Sequence, residues 1–91
     1  MNLKNYEYGI LDANGEVTET NMKGDSIWPS ISSVLRLASG LMKKNNDNLK
    51  TIELDFTDFI LLLVKGKEKT VCVKLKDKSQ KATVLDLIKE L

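Results

Sequence analysis

Glu53, Asp55 and Asp58 are the residues whose types and spacing come nearest to chemistry. Glu53 and Asp55 stand two apart, so a strand carries both carboxylates on one face. A carboxylate pair can work as acid and base or hold a cation, provided it sits in a cleft opposite a second group. Otherwise it is a solvated strand face, or acids on a sheet that help to choose a partner. Asp12, beside Asn14-Gly15, raises the same question for a cation or phosphate. One carboxylate is a poor cation site, and a hairpin turn in which Asp12 accepts from turn amides accounts for the same residues. No GxxxxGK phosphate loop occurs.

Cys72 is the one thiol. It lies between two valines and reads as buried and inert. The chain has no histidine. That excludes Ser-His-Asp and Cys-His catalysis and argues strongly against zinc. We therefore expect no catalytic residue, no metal and no cofactor. Lys65, Lys67, Lys69, Lys74, Lys76, Lys78 and Lys81 concentrate positive charge late in the chain. Glu68 and Asp77 interrupt them, and no aromatic residue is interleaved to stack bases. They read as a solvated face, or as a surface for protein before nucleic acid.

These residues must be positioned by one small domain, since the chain has 91 residues. Lys and Arg number 14 against 13 Asp and Glu. That balance gives no bulk attraction to nucleic acid or anionic membrane. The longest apolar run, 59–64, is too short for a membrane-spanning helix. The first residues lack the apolar core of a secretory signal. A single cysteine fits a reducing compartment, and we expect a cytoplasmic protein.

Strands are predicted over 6–12 and 16–20, joined by a two-residue Asn14-Gly15 turn with both central residues at positive φ. Val17 is the only large apolar residue of the second strand, which places it at a sheet edge. A helix is predicted from a cap at Asp25 or Ser26, with Pro29 in its first turn, to Lys44. Ile27, Ile31, Val34, Leu35, Ala38, Leu41 and Met42 form its apolar stripe. Trp28 flanks the stripe, either packed at the core's end or exposed as a contact residue. The other flank, Ser30, Ser33, Leu37 and Gly40, carries no charge and suits close approach by a second helix. Strands follow over 49–56, 59–65 and 68–76, and a last helix over 80–91. The strand 59–65 is apolar on both faces, so both faces of the sheet should be covered. The predicted fold is α+β: a five-stranded antiparallel sheet flanked by two helices, in the order ββαβββα.

This order, together with Ile10-Leu11-Asp12-Ala13-Asn14-Gly15 and a meander ending VCVKLK, resembles the Roadblock family of dynein light chains. Its wider group includes small prokaryotic Roadblock proteins that act on Ras-like GTPases and subunits of the Ragulator scaffold. Many members carry an extra helix before the first strand, where this chain has residues 1–5. The resemblance implies a profilin-like, Roadblock/longin-type fold and a non-catalytic scaffold. It implies pairing with a second copy or a related subunit through the long helix and the strand after it. Carried over, the interface is Ser30, Ser33, Leu37 and Gly40 with Lys50, Ile52 and Leu54. Trp28, Arg36, Glu53 and Asp55 are candidate partner contacts. The implied partner is a small Ras-like GTPase, without nucleic acid or membrane insertion. An alternative from another class is a small profilin- or PAS-like sensor with a ligand between sheet and helix, although its core faces look filled.

Overall fold

The computed structural model describes residues 3–22, 31, 33, 43–44 and 50–88. Six strands are formed: β1 (Glu7–Leu11), β2 (Val17–Thr20), β3 (Lys43–Lys44), β4 (Lys50–Asp55), β5 (Ile60–Lys65) and β6 (Thr70–Leu75). They make one sheet in the order β2-β1-β6-β5-β4-β3, and every neighbouring pair is antiparallel. A 3₁₀ turn (Lys78–Gln80) leads into a C-terminal helix (Lys81–Leu87).

The apolar run of β5 organises this sheet. Ile60, Leu62 and Val64 join Ile10, Val71, Val73 and Leu75 on one face, where Val84 and Ile88 of the C-terminal segment and Leu3 close over them. Leu61 and Leu63 point to the other face, with Leu11, Cys72 and Ile31. Ile31 is helical and buried, and Ser33 is helical and exposed. Both faces of β5 are thus covered, as its unbroken apolar sequence requires. The α+β class and the antiparallel sheet agree with the sequence reading. β1 is an inner strand and β2, with only Val17 half-buried, is an edge.

Three expectations need correction. The predicted helix does not reach Lys44, because Lys43 and Lys44 are extended and pair with Thr51 and Lys50, and apart from Ile31 and Ser33 the rest of its predicted length lies outside the described residues. Helical periodicity carries no information about a strand two residues long. The sheet accordingly has a sixth strand. The Asn14-Gly15 turn is also longer than expected. Gly15 alone has positive φ, at 82°. Its amide donates to the Asp12 carbonyl at 3.0 Å, and the Asp12 amide donates to the Glu16 carbonyl at 2.9 Å. The loop is therefore Ala13-Asn14-Gly15, with glycine in the left-handed position that such three-residue hairpins require. β2 then bulges at Thr18, since Ile10 faces Glu19 and Leu11 faces Val17.

The remaining strands keep their predicted places with ends trimmed by one or two residues. The C-terminal helix starts one residue late, after a 3₁₀ turn, and 89–91 lie outside the described residues.

Gly15→Ala should destabilise the fold by about 1 kcal/mol, the cost of a Cβ in the left-handed region, read as a lower urea midpoint. Leu62→Ala, at a fully buried position on β5, should cost about 2–5 kcal/mol in the same measurement.

Candidate functional site

Glu53 and Asp55 share a face, as their spacing predicts, and it is the face under the C-terminal segment. The turn after β6 brings two lysines to them. Asp77 Oδ1 accepts from the Ser79 amide at 2.8 Å and from the Ser79 hydroxyl, and Gln80 Oε1 accepts from the Lys76 amide at 2.7 Å. So capped, the 3₁₀ turn sets Lys78 Nζ 3.8 Å from both Glu53 and Asp55. Lys81 Nζ lies 3.2 Å from Glu53. The Lys81 contact, outweighing the effect of partial burial, holds the Glu53 carboxyl below its ordinary range. The Ser79 hydroxyl and amide do the same for Asp77. The acids of β4 are therefore not a bare solvated face. They meet Lys78 and Lys81 of the C-terminal segment. Asp58 lies apart from them, in the two-residue turn where the Phe56 amide donates to the Phe59 carbonyl at 2.9 Å.

On the opposite face of this sheet end, Phe56 stacks on Phe59 with ring centroids 4.8 Å apart. Lys74 Nζ stands 4.7 Å from the Phe59 ring centre and 3.5 Å from Glu7. Phe59 is covered by these contacts, whereas Phe56 keeps 51% of its surface exposed. It is the one exposed large hydrophobic side chain among the described residues. Two depressions of ≈ 480 and ≈ 340 Å³ flank the stack and share Asp58, Phe59 and Lys76. Both are open and lined by mixed charges at the strand ends. Neither lies between sheet and helix, where a sensor would hold its ligand.

β4 is the strand that joins these features to an edge. β3 covers it only at Lys50 and Thr51. Among the described residues nothing pairs with the outer edge of β4 from Ile52 to Asp55. Of the residues assigned to an interface, Lys50 is exposed, Ile52 and Leu54 are half-buried, and Ser33 is exposed on its helical turn. Ser30, Leu37 and Gly40, with the partner candidates Trp28 and Arg36, lie outside the described residues.

Asp12 Oδ1 accepts from the Asn14 amide at 2.8 Å and the Glu16 amide at 3.0 Å, so the turn itself occupies it. Cys72 is fully buried, and burial pushes its thiol up to about 12. Among the described residues no group of three potential metal ligands comes together, and no helix is long and apolar enough to cross a membrane.

The lysine cluster of the sequence divides. Lys74, Lys78 and Lys81 are engaged at one end of the sheet, as above. Lys65, Lys67 and Lys69 lie at the opposite end, where strand pairing adds Lys50. Sequence reasoning missed Asn21. Its side chain accepts from the Tyr8 amide at 2.8 Å and donates to the Tyr6 carbonyl at 2.7 Å, extending the β1–β2 ladder. An Asn just past a strand end was the only available signal. It also missed the ion pairs of Glu53, since Lys78 and Lys81 lie more than twenty residues away in sequence.

No family model matches the chain, and no curated protein sequence matches it significantly.

Glu53 fixes a pH dependence. A carboxyl held below its unfolded value contributes stability that is complete above that value and is lost as pH falls through its folded value. Wild type should therefore lose urea resistance more steeply than Glu53→Gln from about pH 5 downward. The variant should be the weaker of the two at pH 7, and the difference should close in acid.

Proposed function

We propose that this protein is a non-catalytic, Roadblock-like scaffold whose copies pair through β4 to present a platform to a partner protein. One observation carries the pairing: among the described residues nothing pairs with the β4 edge from Ile52 onward, and it ends at the half-exposed Phe56. An open strand edge offers unpaired amides and carbonyls to a second chain. A two-fold axis through Leu54 satisfies them without displacing β3. It sets Ile52 opposite the second copy's Phe56, an apolar pair on the Phe56 side of the sheet. The same register sets Glu53 opposite the second copy's Asp55 on the other side. That contact is tolerable because Lys78 and Lys81 already balance both carboxylates. The exposed, uncharged Ser33 supports a helix contact along the same seam.

The resemblance supplies the partner class, a small Ras-like GTPase, and the cytoplasmic setting. A scaffold of this kind alters nucleotide turnover by positioning the GTPase's own switch loops. It inserts no catalytic group, in keeping with carboxylates tied to lysines and a buried thiol. The sensor reading is less favoured, because the described sheet faces are packed with side chains.

Light scattering over a dilution series tests the pairing. Wild type should have dimer mass, and Gly40→Arg should give folded monomers. Phe56→Asp should weaken association by about thirtyfold, roughly 2 kcal/mol, as truncation of a central aromatic contact does. Its circular dichroism should not change, since Phe56 is already half outside the core. A wild-type monomer at all concentrations would sink the homodimer. If the dimer holds, co-precipitation with Ras-like GTPases tests the second half.

A further inference from the structure

Strand register assembles a row of lysines that the linear sequence hides. Lys44 of β3 stands directly opposite Lys50 of β4, and Lys50 directly opposite Lys65 of β5. Lys50 and Lys65, so paired, lie on one face of the sheet, about 5 Å apart from strand to strand. Lys67 and Lys69 continue the charge into the β5–β6 turn, closed by a bond from the Gly66 amide to the Lys69 carbonyl at 2.8 Å. Lys50, Lys65, Lys67 and Lys69 are all exposed. Among the described residues none of them makes an ion pair, in contrast to Lys74, Lys78 and Lys81. Acids near the row are few among the described residues. Glu68 lies in the turn, and Asp47 falls in the sequence joining β3 to β4. Asp12 and Glu16 belong to the neighbouring β1–β2 turn, where Asp12 is held by turn amides.

Like charges directly opposite one another on a sheet are destabilising. One edge lysine is a common guard against aggregation, but an exposed lysine pair that reaches inward to β5 and continues into its turn goes beyond what an edge needs. We infer that this lysine row is a docking surface for an acidic segment of a partner protein, and that bound carboxylates relieve its repulsion. Protein is favoured over the other polyanions by what the surface lacks. The stretches 43–50 and 64–70 contain no aromatic residue on which a base could stack. They contain no arginine, so the planar fork that grips phosphate is missing. Among their described residues no large apolar side chain is exposed, since Val64 is buried, so these offer no wedge for a bilayer. Point charges on flexible stems suit carboxylates. This inference does not depend on β4 pairing with a second copy.

The test uses a fluorescein-labelled glutamate-rich peptide, read by anisotropy at low and at physiological salt. Controls are poly(U) RNA and phosphatidylserine vesicles. Lys50→Gln with Lys65→Gln should weaken peptide binding about tenfold or more, while Lys4→Gln with Lys76→Gln, an equal charge loss at the other end, should change it about twofold or less. Separately, Lys65→Glu should raise Tm of the free protein by roughly 2–5 °C, because it turns a repulsive row attractive. Absence of peptide binding, equal loss in both double variants, or tighter binding to RNA or vesicles would overturn the proposal. A lower Tm in Lys65→Glu would remove its physical basis.

Discussion

The fold rests on one constraint, that β5 must be kept from water on both faces. Its residues Ile60 to Val64 are all buried, and each such side chain gains about 1.5–3 kcal/mol from burial. No single layer can cover a strand that is apolar all round. The C-terminal helix therefore lies on one side, with Val84 and Ile88 in contact, and helical Ile31 lies on the other. β6 follows the same logic with a milder pattern. Val71, Val73 and Leu75 face the C-terminal helix, while Cys72 faces Ile31. Cys72 is thus a core residue of the second face, and its raised pKa is a consequence of packing.

Much of this was legible because it follows from the period of apolar residues. Unbroken Ile-Leu-Leu-Leu-Val can be only a doubly covered strand or a helix, and the flanking turns decide for a strand. The polar Val17–Thr20 segment can be only an edge. What was not legible depends on register and distance. The turn type at Asn14-Gly15 depends on whether Asp12 pairs with Glu16, and the dipeptide is compatible with both answers. The strand at Lys43–Lys44 exists because β4 lies beside it. The neutralisation of Glu53 depends on a helix start almost thirty residues later. The lysine row requires the pairing of three strands before its members become neighbours.

The two edges of the sheet are finished differently. At β2 the chain closes its edge with a bulge, exposed Thr and Glu side chains, and the Asn21 amide bonded back to β1. These are devices that discourage a further strand. At the other edge β3 protects only the first two residues of β4, and the remainder meets an exposed phenylalanine. Among the described residues this edge is open over a short length, which fits the proposed pairing.

Along most of the chain, local preference and tertiary packing agree, which is what a sequence with one stable fold requires. The exceptions are few and lie close together. Phe56 leaves the core at the end of β4. Lys50 faces the exposed Lys65 at the start of β4. Between them, among the described residues, the backbone edge from Ile52 to Asp55 has no strand partner. Any one of these alone would be an ordinary surface irregularity. Their concentration on β4 and the residue that follows it is what favours β4 as the strand of the proposed pairing. Glu53 and Asp55 fit the same view. Their contacts with Lys78 and Lys81 tie the other face of β4, away from Phe56 and Lys50, to the C-terminal segment.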